Sequence, residues 1–168
     1  MAGMINQLIE VMNEQAERHS ELLGLSVEEK DAIIQNDVDT LQKLVNLKNI
    51  VISQNNRLEK KRITLVNDIA EVLGHGKKDI DLSELIELLD GQAEQAELRE
   101  VGARLRQIVT ELKEANDLNK ELLESALEFV DYSLNALRST IAPEPPAYPT
   151  NIRGKGGEEI AGTFDTKQ

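Results

Sequence analysis

The chain is 168 residues long, 40% hydrophobic, and carries a formal net charge of −12. That charge argues against a phosphate backbone as partner, because such binding rests on clustered Lys and Arg. With no cysteine, it also has no disulfide frame, thiolate nucleophile or cysteine metal site.

Aromatic residues make up only 2%, namely Phe129, Phe164, Tyr132 and Tyr148, so the core must be built from aliphatic side chains. No alternating run bounded by turn residues suggests a strand, which leaves helix as the default. The opening residues lack the basic stretch and apolar block of a signal peptide, and no apolar run approaches a membrane span. A cytoplasmic location without membrane insertion is therefore expected.

In the first element, Ile5, Leu8, Ile9, Met12, Ala16, Leu22, Leu23, Val27, Ile33 and Ile34 recur at threes and fours, the spacing of a helix stripe. Gly24 and the box-like Ser26-Val-Glu-Glu29 could restart a helix, but the stripe keeps its phase across them. One continuous helix is expected. Asn36-Asp37-Val-Asp39 then reads as a tight corner, with an Asp capping the second helix. That helix carries Leu41, Leu44, Val45, Val51, Ile52, Leu58, Leu65, Val66 and Ile69, and should stop at Gly74-His-Gly76. Asp81-Leu-Ser-Glu84 has the form of a capping box and predicts a short helix over about 82–90.

The longest stripe runs from Leu98 through Val101, Leu105, Ile108, Leu112, Leu118, Leu122, Leu127, Val130 and Leu134 to Leu137. A helix over about 92–140 would be roughly 70 Å long at 1.5 Å per residue. It cannot bury such a stripe on itself, so the first two helices, a partner, or both must cover it. All four prolines fall in 143–149, and the glycine-rich stretch beyond them is poor in apolar residues. The pattern as a whole predicts an all-α chain. A long antiparallel helical hairpin or bundle of coiled-coil spacing should fill 1–141, with a flexible tail over 142–168. Residues 81–131 hold fourteen acidic and five basic side chains, so the negative charge sits mainly on the last helix.

Catalytic chemistry finds little support. His19 and His75 are the only histidines, neither lies in the Glu-x-x-His spacing of di-iron bundles, and no phosphate-cradling glycine loop occurs. A non-enzyme without cofactor or metal is expected. Asn116 and Asn119 are more informative, because they share a face with the last stripe. There they either set the register of a bundle or mark a surface open to a partner. Just beyond, Leu123, Ala126, Leu127, Val130, Leu134 and Leu137 form an apolar strip with Phe129 and Tyr132 beside it, suited to receiving an amphipathic helix.

The corner Asn36-Asp-Val-Asp-x-Leu-x-x-Leu44 with Lys48 following, and the stretch Asn116-x-x-Asn119-x-x-Leu-Leu123-x-x-x-Leu127-x-Phe129, resemble the FlgN family of flagellar type III export chaperones, including its YvyG-type members. The resemblance covers about residues 4–140. It implies a chaperone that binds the C-terminal amphipathic helix of hook-filament junction proteins, prevents their self-association and delivers them to the export gate. The client region it implies is 122–137; with Asn116 and Asn119 from the residue pattern above, the candidate client residues are Asn116, Asn119, Leu122, Leu123, Ala126, Leu127, Phe129, Val130, Leu134 and Leu137, and the resemblance implies Tyr132 or Tyr148 docking on the gate. The rival expectation is a structural coiled-coil scaffold or homodimeric adaptor, in which the last helix pairs with its own copy.

Overall fold

The structure, a computed structural model, describes residues 2–75 and 80–141. Its helices are α1 (Ala2–Gln35), α2 (Val38–Val72), α3 (Leu82–Leu88) and α4 (Glu94–Ile141), and there is no strand among the described residues. The chain divides into two units, Met1–Asp131 and Tyr132–Gln168. The second is described only as the helical residues 132–141, and the expected tail over 142–168 lies outside the described residues.

α1 runs through Gly24 and Ser26 without interruption. The Ser26-x-x-Glu29 spacing is not a helix start here; it places two polar side chains one turn apart near the seam, with Ser26 buried. The corner that follows is closed twice over. Asn36 adopts φ 55, a left-handed conformation that Asn tolerates better than most residues, and the Asn36 and Asp37 N–H groups donate to Ile33 and Ala32 carbonyls. Asp37 then caps α2. Its carboxylate accepts from the Thr40 N–H at 3.0 Å and the Thr40 hydroxyl at 2.6 Å, and these two bonds, the hydroxyl's first, hold its pKa below the ordinary carboxylate range. A connection this short makes α1 and α2 an antiparallel hairpin.

α2 ends just before Gly74, as expected, while Gly76 lies outside the described residues. Gly74 takes φ 75, and the N–H groups of Gly74 and His75 donate to the Glu71 and Ala70 carbonyls, satisfying the last turn. At α3 the capping box is complete: Asp81 Oδ1 accepts from the Glu84 N–H at 2.8 Å, and the Asp81 N–H donates to Glu84 Oε2 at 3.3 Å. Gln95 Nε2 reaches back to the Ile86 carbonyl at 2.8 Å, tying the start of α4 to α3.

The apolar core of the first unit gathers where α3 meets the open end of the hairpin. Ile5, Leu8 and Met12 of α1, Ile69 and Ala70 of α2, Leu85 and Leu89, and Leu98 of α4 are all buried in one cluster. Gly102 brings α4 close here, since a Cβ at that position would lie 3.0 Å from Leu82 Cδ2 and 3.8 Å from Met12 Cε. Each fully buried Leu or Ile contributes on the order of 1.5–3 kcal/mol, which makes this end the source of most of the stability.

Candidate functional site

Toward the hairpin corner the contents of the seam change. Ser26 and Glu29 on α1, Lys48 on α2, and Asn116 and Asn119 on α4 come together. Asn119, 6% exposed, donates through Nδ2 to the Ser26 carbonyl at 2.7 Å and to Glu29 Oε2 at 3.1 Å. Asn116 Oδ1 accepts from Ser26 Oγ at 3.0 Å and from Lys48 Nζ at 3.2 Å. Lys48 Nζ also pairs with Glu29 at 2.6 Å, both side chains being 15% exposed. Three helices therefore meet in one hydrogen-bonded knot. Because directional bonds tolerate no slip, the knot fixes the register of α4 on the hairpin. Asn116 and Asn119, expected either to set register or to mark a surface open to a partner, are thus engaged with α1 and α2.

Along α4, the positions facing the hairpin alternate at threes and fours through Leu105, Ile108, Leu112, Ala115, Asn119, Leu122 and Ala126, each buried or half-buried. Off this face, apolar side chains of α4 stand exposed. In the first unit Leu123, Leu127, Phe129 and Val130 are exposed. In the second, Tyr132, Leu134, Leu137 and Ile141 are exposed, Tyr132 by 74%. Tyr148 lies outside the described residues.

His, Glu and Arg come together in a cleft of the first unit lined by Met12, Gln15, His19, Asn55, Glu59 and Arg62, with Leu105 and Val109 also lining it. His19 Nδ1 lies 2.8 Å from the Gln15 carbonyl, an acceptor, so this nitrogen carries the proton. Glu59 receives two bonds from Arg62, at 2.6 and 2.8 Å, and one from Gln15 at 2.8 Å. The bonds from Arg62 do most to bring its pKa down to about 2, against the opposing effect of burial. A carboxylate held so low is a poor proton acceptor at neutral pH. Among the described residues no group of His, Cys, Asp and Glu side chains could hold a metal ion, and no helix is long and apolar enough to cross a membrane.

Sequence reasoning found Asn116, Asn119 and, as part of the corner motif, Lys48, but did not see that they meet. Ser26 and Glu29, read as a capping element, were the missing partners. A Ser at a stripe position of α1, followed by Glu one turn later inside an uninterrupted helix, was the available signal.

Long helices with a polar register knot and exposed apolar positions on the last of them define a helical protein-binding scaffold. The model of the family described as FlgN protein matches residues 1–156. The chain belongs to the FlgN family, and its general role is that of a flagellar export chaperone. No curated protein and no solved structure matches it.

Proposed function

We propose that this chaperone acts in the cytoplasm on hook-filament junction proteins, holding the amphipathic C-terminal helix of each client until the client reaches the export gate. The observation that carries the reading is the exposed apolar series on α4 within the first unit, Leu123, Leu127 and Val130; Leu134 and Leu137 are exposed in the second unit. Apolar side chains at this spacing suit an amphipathic helix laid against them, and they would be a liability on a protein with no client. Shielding needs neither cofactor nor turnover; burying the client's apolar face is enough to stop its self-association. Tyr132, exposed in the second unit, is the described candidate for contact with the export gate.

The test is calorimetric titration of the full chain with a junction-protein C-terminal peptide. A 1:1 complex is expected, and no heat at peptide concentrations on the order of tens of micromolar sinks the reading. Leu127→Asp or Val130→Asp should abolish the complex while circular dichroism stays helical. Binding that survives both changes places the site elsewhere.

A further inference from the structure

Within the first unit a furrow runs between α2 and α4, and the chain itself fills one end of it. Lys48 meets Asn116, while Asn55, one heptad along α2, shares a cleft with Val109, one heptad back on α4, so the two helices run antiparallel. Leu82 of α3 lines that cleft too. It also lies beside Ile63 and Val66 of α2, and its Cδ2 is 3.0 Å from where Gly102 of α4 would carry a Cβ. A short amphipathic helix, α3, is thus already seated between α2 and α4 at the open end of the hairpin.

Toward the corner the walls of the furrow are apolar and exposed. On α2, Leu44 and Val51 are buried on the α1 side of Lys48; Val45 and Ile52, the next residues, fall on its other side and are exposed. On α4, Val109, Leu123 and Val130 follow the line of Asn116 one heptad or two apart, all exposed, so the furrow includes the strip on which the chaperone reading rests. Charge does not choose the occupant, since the α4 rim carries Lys113 and Lys120 together with Asp117 and Glu124, and Lys48 is neutralised by Glu29. Hydrogen bonding does. Gln15, 2% exposed in the cleft, donates through Nε2 to Glu59 at 2.8 Å, which fixes the amide and leaves Oε1 with no donor among the described residues; Asn55 Oδ1, also buried there, has none either. Buried acceptors without donors are costly, and a ligand that brings N–H groups to them recovers that cost.

We propose that the client's amphipathic helix lies in this furrow beyond α3, with Val45 and Ile52 as its second wall, and sets one asparagine or glutamine into the cleft, where its NH2 group donates to Gln15 and Asn55. The proposal rests on the chaperone reading; it adds a wall on α2 to the client site and names a side chain the client must carry. The apolar walls supply area, and the two acceptors supply register along the furrow. A primary amide fits better than lysine or arginine, because Glu59 in the cleft is already paired with Arg62 and a second cation would find no counter-charge.

The probe is the junction-protein C-terminal peptide, titrated into variants of the full chain. No complex with the unaltered chain removes the chaperone reading and this proposal together; a complex indifferent to the changes below leaves that reading standing and removes the furrow. Val45→Asp/Ile52→Asp, altered only at exposed positions, should weaken the complex at least about tenfold. Leu47→Asp/Ile50→Asp places the same charges on exposed faces of α2 turned away from α4 and should leave affinity unchanged. Equal affinities, or equal losses, in the two variants overturn the second wall. Asn55→Leu should weaken the complex about tenfold while the urea midpoint stays level or rises, because it removes an unmet acceptor. Unchanged affinity, the result if solvent alone serves Asn55, overturns the donor assignment, and so does a lowered midpoint. Replacing each Asn and Gln of the peptide by Ala in turn should reproduce the loss at one position and add nothing further in Asn55→Leu. A loss at no position, or one that adds in full to that of Asn55→Leu, overturns the assignment as well.

Discussion

The two ends of the α1–α4 seam are held by different physics. At the open end of the hairpin, Leu8, Met12, Leu85 and Leu98 pack with essentially no exposure, and Gly102 lets the helices approach. At the corner end, α4 is held by Ser26, Glu29, Lys48 and Asn119 through hydrogen bonds, with apolar side chains left exposed on either side. Aliphatic packing is strong but indifferent to small shifts, whereas hydrogen bonds are modest in net energy and exacting in position. One end therefore gives stability and the other gives register. The register end is also where opening should require the least free energy.

The largest expected effect comes from attacking the stable end. Leu98→Ala should destabilise the chain by about 2–5 kcal/mol, the range for a large aliphatic side chain removed from a closed core, read as a lower urea midpoint. A loss under about 1 kcal/mol would mean that the core is not centred there. Asn119→Ala attacks the register end and should be milder, about 1–2 kcal/mol, because two bonds are lost while Glu29 keeps Lys48. Its signature is local: amide exchange should accelerate around 115–126 on α4 and stay unchanged near Leu98. Uniform acceleration along the helix would break the contrast between the ends.

The smallest effect is the pH dependence of Glu59, which bridges α1 and α2 between the two ends. Its folded pKa, about 2, lies below its ordinary value of 4.5, so its stabilisation is fully present above that value. It is lost as pH falls from about 4.5 toward 2. The stability difference between the native chain and Glu59→Gln should shrink across that window and be flat above it. A difference that persists unchanged at the acid limit would assign the effect to shape rather than charge.

Much of this was legible in the residues. The corner at Asn36-Asp37, the stop at Gly74, the capping box at Asp81 and the uninterrupted first and last helices each follow from a local rule, and each is found. The stripes were less faithful, because they were wider than any seam. Ile33 and Ile34 were both counted as stripe residues, yet adjacent positions point about 100° apart on a helix, so Ile33 is buried and Ile34 exposed. Val27, Val45, Ile52 and Leu118 divide from their neighbours in the same way. Whether such a flank is covered depends on where the other helices end, and no periodicity records that. The polar knot was half visible, since the sequence marks Asn116 and Asn119 as unusual but not which side chains, some ninety residues earlier, receive them.

The two-residue corner at Asn36-Asp37 also orders events in time. Closing so short a loop takes little chain entropy, whereas joining Asn119 to Ser26 must span 93 residues of sequence. As the chain leaves the ribosome, α1 and α2 can pair before α4 exists. α4 then docks last, onto a template already formed, with its acidic and apolar surface the final one to be covered.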